Sequence, residues 1–170
     1  QKGKISKKTI FFSKAIGKKV EYNSQYSDRY TGSGPLTLVD GLTGSIAHND
    51  NYWQGWHEDN MDVTIDLSEV ESLSRVSMGF LESHGSWIFL PTRVMVSFSD
   101  DGNSYRKQIE IQIADGKRGG AANRVECESK NLNVSARYVR VKAINRKKCP
   151  EWHPGSGGKT WVFSDEIIVE

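Results

Sequence analysis

The 170 residues of the chain are enough to bury the core of one domain and too few for two ordinary ones. The 23 basic and 21 acidic residues nearly cancel, which excludes the broad field of one sign that would hold nucleic acid or an anionic lipid surface. No apolar run approaches the length of a membrane span, so we expect neither a nucleic-acid partner nor a membrane span.

The chain begins with a lysine- and serine-rich segment around one apolar patch at residues 10–12. It opens on Gln1 without a signal-peptide pattern, so we expect a piece of a longer protein. Residues 1–14 are therefore predicted to be a linker or leader, and residues 15–170 a single folded domain.

Short segments that alternate apolar and polar residues follow along the rest of the chain. The clearest begins at Met61, where the alternation continues to Leu67 and predicts a half-buried strand. Turn residues close the tyrosine-bearing segment 23–35, which is predicted to be a loop or a single helical turn. Other strands are predicted at residues 18–22, 74–81, 92–99, 107–113, 123–128, 137–143 and 161–169.

Two Asp-Gly turns lie between predicted strands, within residues 99–103 and 114–117, and each predicts a β-hairpin. No segment keeps a helical period for more than a couple of turns, and no internal repeat is present. About eight short strands without intervening helices favour an all-β fold, an antiparallel β-sandwich or jelly roll. The loops of such a fold gather at its two ends, where we expect any ligand site.

The segment with the most information about function is the aromatic loop, which we define as residues 149–161. Its two prolines and three glycines exclude regular helix and central strand, so it is predicted to be a surface loop. The rings of Trp152 and Trp161, with the hydrogen-bonding groups of His153 and Lys159, suit a flat, hydroxyl-rich ligand such as a sugar. The alternative is that both tryptophans only anchor the loop, since tryptophan is usually mostly buried.

Two further segments are polar and aromatic enough to belong to the same kind of site. One is expected to face the aromatic loop and to contribute three side chains, Glu82, His84 and Trp87. The other, residues 49–58, is predicted to be a loop in which Trp56 is a candidate ring and Trp53 is favoured as a core residue. No histidine has the spacing of a metal ligand.

Oxygen-bearing side chains near one Asp-Gly turn form a candidate calcium set. Asp40, Thr43 and Ser45 lie on this turn, and Asp165 and Glu166 come from a distant predicted strand. Carboxylates in flexible geometry suit calcium, although an Asp-Gly pair can equally be only a turn.

The sequence shows no pattern that is typical of an active site. A glycoside hydrolase needs two carboxylates held across a cleft, and no acidic residue lies in a segment typical of such a pair. No nucleophile elbow, phosphate-binding glycine loop or zinc-ligand spacing is present. We therefore expect no catalytic activity from this chain.

The chain contains two cysteines, Cys127 and Cys149. A single pair defines no disulfide framework, and neither cysteine has metal-ligand spacing. Two interpretations stay open, one disulfide or two small buried or half-buried thiols.

Six segments occur in the order that is seen in one domain family. They are residues 39–41, 53–56, 63–67, 94–102, 136–141 and 165–167. In this order they resemble coagulation factor 5/8 type C (discoidin-like) domains, whose bacterial counterparts are the family 32 carbohydrate-binding modules. The resemblance covers residues 15–170 and implies a discoidin-like jelly-roll β-sandwich there, in agreement with the strand pattern.

Three longer segments, residues 80–81, 87–91 and 149–161, are similar to the C-terminal region of Bacteroides-type β-N-acetylhexosaminidases (chitobiases) of glycoside hydrolase family 20. This similarity implies the non-catalytic tail of a periplasmic, cell-surface or secreted bacterial enzyme. The implied partners are glycans that contain N-acetylhexosamine or galactose, and the catalytic domain of the same parent chain. The alternative is an accessory domain that packs against that catalytic domain and binds no sugar itself.

The resemblance also implies a structural calcium ion, held by the Asp of the Asp-Gly turn, a hydroxyl residue shortly after it and a Glu near the C-terminus. These match Asp40, Ser45 and Glu166, with Thr43 as a substitute ligand. The chain departs from the family pattern because Ser45 replaces the usual Thr and lies well before Trp53. Galactose sites of the family often combine a His, an Arg and an Asn with one stacking ring, and this set cannot be matched residue by residue.

Overall fold

The computed structural model describes residues 12–114 and 116–170, so the predicted linker 1–14 lies mostly outside the described residues. Within them the chain folds into nine strands and two single turns of 3-10 helix, Thr37–Val39 and His84–Ser86. The strands are β1 (Lys19–Tyr22), β2 (Gln54–His57), β3 (Met61–Leu73), β4 (Val76–Glu82), β5 (Arg93–Ser99), β6 (Arg106–Gln112), β7 (Asn123–Ser129), β8 (Val134–Ala143) and β9 (Trp161–Val169).

The strands form two antiparallel sheets that pack face to face. One sheet has five strands in the order β1-β3-β8-β5-β6, and the other has four in the order β2-β9-β4-β7. Alternation along β5 shows why they pack, because Val94, Val96 and Phe98 are buried while Met95 and Ser97 lie on the outer face. The all-β antiparallel sandwich expected from the sequence is confirmed.

Two local expectations were wrong. The segment Gln54–His57, expected in a loop, is strand β2, because it pairs with β9 from Gln54 opposite Ser164 to His57 opposite Trp161. The Asp-Gly turn at 114–117 was expected to close a hairpin, but β6 and β7 lie in different sheets. The chain crosses the end of the sandwich here, whereas the turn at 99–103 does join the paired strands β5 and β6.

The main core lies between the two sheets, and a small second cluster of apolar side chains lies beside it. The second cluster contains Trp53, which is 1% exposed, packed with Leu81, Ile88 and Phe163. Trp53 is therefore a core residue, as expected. Trp56 has no exposed surface and belongs to the main core, where its indole N–H donates to the carbonyl of Ser24.

The two ends of the described chain meet at one end of the sandwich. The backbone N–H of Lys14 donates to the carbonyl of Val169 at 2.7 Å, and Arg75, just before β4, pairs with Glu170 at 2.8 Å. The same two strands, β4 and β9, have Glu82 and Trp161 at their other ends. No helix among the described residues has the length and hydropathy of a membrane span.

Cys127 and Cys149 are both free thiols and both are buried, so the disulfide interpretation was wrong and the buried-thiol interpretation is confirmed. Cys127 lies on β7, where burial raises the pKa of its thiol to about 12. Since the thiolate is the reactive form, this cysteine is a packing residue and not a nucleophile.

Candidate functional site

A pocket of about 130 Å³ lies at the end of the sandwich away from the chain ends. Three connections form it: the loop from β4 to β5, the crossing from β6 to β7, and the aromatic loop that leads from β8 into β9. The lining residues are Glu82, His84, Phe89, Leu90, Gly116, Arg118, Arg146 and Trp152.

The loop from β4 to β5 is a tight turn closed by its own backbone. Ser83 and Ile88 exchange two hydrogen bonds, of 3.0 and 3.1 Å. Trp87 takes a left-handed conformation with φ of 63°, which is unusual for a bulky residue and needs support from its surroundings. That support comes from the aromatic loop, because the Trp87 ring packs so closely on Gly155 and Gly158 that neither position has room for a Cβ.

His153 fastens the aromatic loop to the loop from β4 to β5. Its Nε2 lies 2.9 Å from the carbonyl of His84 and its Nδ1 lies 3.0 Å from the backbone N–H of Gly155. A carbonyl only accepts and an N–H only donates, so Nε2 carries the proton and Nδ1 accepts. Both ring nitrogens are therefore used within the protein, and His153 positions the loop and has none left for a ligand.

Two buried side chains in the lining of the pocket, Glu82 and His84, lie within hydrogen-bond distance of each other. The Nε2 of His84 lies 3.0 Å from the Oε1 of Glu82, with 7% and 9% of the side chains exposed. Because the carboxylate accepts, Nε2 donates. The other ring nitrogen, Nδ1, is buried without a hydrogen-bond partner in the protein, and leaving such a polar atom unpaired costs about 1–3 kcal/mol.

Aromatic rings and guanidinium groups complete the pocket. The half-buried ring of Trp152 stands edge-on to His84 with centroids 5.0 Å apart, and its centroid lies 6.2 Å from that of Phe89. Arg118, from the crossing between the sheets, and Arg146, before the aromatic loop, line other parts of the wall. The pocket thus offers an apolar ring surface next to acceptors and donors.

The structure therefore brings together only some of the residues expected in the site. Glu82, His84 and Trp152 line the pocket, while Trp87 and His153 do not line it and hold the two loops together. The other three expected residues lie elsewhere. They are Trp161, Lys159 and Trp56.

Trp161 is the first residue of β9 and does not line the pocket. Its ring stacks on His57 at 4.4 Å with an angle of 22°, and meets Tyr30 edge-on at 5.1 Å. Lys159 does not line the pocket either and pairs with Glu58 at 2.6 Å. Trp56 is fully buried in the core, so its assignment to a sugar site was wrong.

Five lining residues were not predicted from the sequence: Phe89, Leu90, Gly116, Arg118 and Arg146. Arg118 stands beside two glycines in a segment that was taken for a hairpin turn, and only the crossing between sheets brings it here. Asn145 was also missed, although it fixes the base of the aromatic loop. Its amide oxygen accepts from the hydroxyl of Thr160 and from the N–H of Lys147, both at 2.8 Å.

The expected calcium set lies near the turn at residues 40–45. Glu166 accepts from the N–H of Gly41 through one carboxylate oxygen, and its other oxygen is buried without a partner. Burial, assisted by the charge of Asp40, raises the pKa of Glu166 to about 8. Asp165, by contrast, is fully paired with Arg124 at 2.6 and 3.1 Å, so it is not a free ligand.

Some of the oxygen atoms near this turn suit a hard cation as ligands. The unpartnered oxygen of Glu166 beside the carboxylate of Asp40 suits calcium, which also accepts hydroxyl and carbonyl oxygens. Thr43 and Ser45 are exposed on the same turn. Among the described residues, no group of three or more His, Cys, Asp or Glu side chains is placed to hold a metal ion.

Solved structures that are similar to the chain are sugar-binding domains by their names. A histidine mutant of the lectin binding domain of lectinolysin, complexed with Lewis b, is 18% identical, with a TM-score of 0.58 and coverage of 94% of this chain and 95% of that one. A fucose binding module of Streptococcus pneumoniae is 16% identical, with a TM-score of 0.57 and coverage of 93% and 94%.

A third structure, CpGH89CBM32-5 from Clostridium perfringens in complex with GalNAc-β-1,3-galactose, is 19% identical, with a TM-score of 0.56 and coverage of 89% and 93%. Likeness at this identity shows the fold alone. No curated protein matches the chain in sequence. The family model described as F5/8 type C domain matches residues 19–162, which is most of the folded part, and the chain therefore belongs to the F5/8 type C domain family.

Proposed function

We propose that this chain is a non-catalytic carbohydrate-binding module and that the pocket holds one terminal sugar unit of a glycan. The observation that carries the proposal is the hydrogen-bonded pair of Glu82 and His84, which lines the pocket beside the ring of Trp152. A sugar presents hydroxyl donors around a ring that has apolar C–H faces, and this matches both features. The names of the similar structures, with Lewis b, fucose and GalNAc-β-1,3-galactose as ligands, support the same class of ligand.

Each pocket residue has a distinct part in recognition. Glu82 and His84 accept hydrogen bonds from sugar hydroxyls, and the guanidinium of Arg118 donates to a hydroxyl or ring oxygen. Trp152 covers an apolar face of the ring. Contacts of this number give millimolar to micromolar affinity, about 4–8 kcal/mol, which becomes effective when the module is linked to an enzyme or meets many copies of the glycan.

The glycans that we propose contain N-acetylhexosamine or galactose, and the parent enzyme that we propose is a periplasmic, cell-surface or secreted β-N-acetylhexosaminidase. The support is that residues 87–91 and 149–161, which are similar to chitobiase tails, belong to the two loops that meet at the pocket. A tail of this kind would keep the catalytic domain of the same chain close to its substrate. Calcium is proposed as a structural ion between Asp40 and Glu166, with Thr43 and Ser45 nearby, and it takes no part in sugar binding.

The test is a glycan array on the isolated chain, followed by affinity measurements on the glycan that it retains. Trp152→Ala should weaken binding by about tenfold or more through loss of ring contact, with little change in melting temperature. Trp161→Ala is the matched control, since that ring lies outside the pocket, and it should keep the affinity. An array without any retained glycan, or equal loss in both variants, would contradict the proposal.

A second candidate function is an accessory domain that packs against the catalytic domain without binding sugar. It is favoured by the stacked pair of Trp161 and His57, because His57 is exposed and this aromatic surface lies outside the pocket. Under this function Trp161→Ala would lower the melting temperature of the parent enzyme, and the array would retain nothing. The two functions are therefore separated by the same pair of tryptophan variants.

A further inference from the structure

A groove crosses the outer face of the five-stranded sheet. Two cavities of about 280 Å³ each meet in it and share the side chains of Tyr105 and Arg140. The second cavity continues into a smaller one of about 120 Å³ through Glu21, Thr64 and Tyr138. Since the lining residues come from β6 at one end and β1 at the other, the groove crosses all five strands, roughly 19 Å at the usual strand spacing.

One wall of the groove is a rigid turn. The carboxylate of Asp101 accepts from the backbone N–H groups of Asn103 and Ser104 at 2.9 and 2.8 Å, which fixes the loop from β5 to β6. Gly102 in this turn approaches the ring of Tyr138, where an added Cβ would lie 3.3 Å from the ring. The groove is therefore preformed, with half-buried tyrosine rings and amide side chains along it.

Positive charge is concentrated at the end of the groove on β6, β5 and β8. Three cations line this end, Arg106, Arg140 and Lys142, and no carboxylate among the described residues lines it. Two carboxylates lie close by. The Nε and one Nη of Arg140 donate to Asp62 at 2.8 Å, and the ammonium of Lys142 lies at the looser distance of 3.5 Å from Asp62. Asp100 pairs with Arg106 at 2.6 Å. Because Lys142 is held only at this looser distance, its ammonium keeps donors for a ligand.

The opposite end of the groove has a different character. Three carboxylates line it, Glu21, Asp66 and Asp101, against one cation, Lys19, apart from the shared Arg140, and the neutral side chains of Asn23, Thr64 and Asn103 complete it. A ligand charged along its whole length, such as a nucleic acid, would be repelled by these carboxylates and would find few phosphate contacts. A peptide strand would pair with a sheet edge and not with a sheet face. Hydroxyl groups, in contrast, can donate to these carboxylates.

We propose that this groove binds a linear acidic oligosaccharide, with a carboxylate or sulfate at Lys142 and Arg106, sugar rings along Tyr105 and Tyr138, and hydroxyls toward Glu21. This second site is independent of the loop-end pocket, from which it differs in fold position, length and charge. It would let one domain hold the interior of a glycan chain while the pocket holds an end.

The experiment is titration calorimetry of the whole chain with four probes of similar length. Hyaluronan hexasaccharide carries carboxylates alone, κ-carrageenan hexasaccharide carries sulfates alone, chitohexaose is neutral, and a six-nucleotide single-stranded DNA is a uniform polyanion. At least one acidic sugar should bind, more weakly at high salt, and the stronger of the two identifies the acid group. Binding of neither acidic sugar, or equal binding of the DNA, would overturn the proposal.

Variants then place the site. Lys142→Glu should lower the affinity for the acidic probe by about tenfold, as expected when the charge of one partly exposed contact is reversed. Lys130→Glu makes the same charge change after β7 in the other sheet, where Lys130 pairs with Glu128, and should leave the affinity unchanged. Trp152→Ala should also leave the affinity for the acidic probe unchanged. The experiment therefore distinguishes failure of the groove proposal from failure of the pocket proposal. Equal loss in Lys142→Glu and Lys130→Glu would overturn the placement.

Discussion

His84 and His153 show how similar side chains take different parts at one site. Each is about 6% exposed, yet His153 uses both ring nitrogens within the protein and His84 keeps one without a partner. A buried polar atom without a partner is costly unless a ligand completes it. The hydrogen-bond partners, and not residue type or burial, therefore separate His153, which holds a loop, from His84, which we propose meets the ligand.

The role of His153 gives a prediction at the residue scale. His153→Ala removes two hydrogen bonds, so it should lower the free energy of unfolding by about 1–3 kcal/mol and weaken glycan binding through a loosened aromatic loop. Denaturant unfolding and amide exchange over residues 150–158 measure both effects. His57→Ala, at an exposed histidine outside the pocket, is the control and should change stability by less than about 1 kcal/mol. Unchanged exchange in His153→Ala would contradict the positioning role.

The five tryptophans show what composition can and cannot decide. Trp53 was expected in the core because it stands between a turn and a strand, and this was confirmed. Trp56 and Trp161 were both assigned to the site. The pairing of β2 with β9 buries Trp56 in the core and places Trp161 against His57, outside the pocket. Alternation tells which face a residue takes only once the strand itself is recognised.

At the scale of the elements, the two pocket loops form one packed unit through the ring of Trp87. Its left-handed backbone and its contact with two glycines explain why neither loop is independent. Strand positions could be predicted from alternation, since every strand of the described residues except β2 overlaps a predicted segment. Strand partners could not be predicted, because pairs such as β4 with β9 join residues far apart in sequence. The chain also passes to the other sheet after β6, which alternation does not reveal.

The loop contact gives a prediction at this scale. Gly158→Ala would place a methyl group against the Trp87 ring, so the aromatic loop must shift, and sugar affinity should fall by about tenfold or more. Gly85→Ala is the matched control, since nothing lies within 4 Å of an added Cβ there. Calorimetric titration with the retained glycan compares the two. Full affinity in Gly158→Ala would show that the loop tolerates the shift.

At the scale of the whole molecule, the body of the sandwich and its loop end are stabilised by different means. The sheets are held by apolar burial, whereas the turn at residues 40–45 is held to β9 by carboxylates of Asp165 and Glu166. The overall sandwich could be predicted because it follows from strand number and absence of helices. The sequence could not show that Asp165 is paired with Arg124, because this pairing needs β7 and β9 beside the same strand.

The buried carboxylate of Glu166 predicts how stability changes with pH in the absence of calcium. Its pKa is about 8 in the folded chain against an ordinary value of 4.5, so between these pH values the folded state holds a proton that the unfolded state has lost. Stability should therefore fall as the pH rises from about 4.5 to 8. The proposed calcium ion would bind the ionised form, so added calcium should raise the melting temperature more at about pH 8 than at about pH 5.

Thermal unfolding with calcium and with a chelator measures this response. Glu166→Gln should remove both the pH slope and the calcium effect, whereas Glu69→Gln, at an exposed position of β3, should keep both. A calcium response that survives in Glu166→Gln would place the ion elsewhere.

The meeting of Lys14 with Val169 has a practical consequence for imaging. Both ends of the folded body emerge at the pole opposite the pocket, separated from it by the length of β9, about 30 Å for nine residues. A fluorescent protein fused at either end would therefore stand clear of the proposed sugar pocket. Binding of glycans on cell surfaces could then be followed with the label at whichever end is convenient.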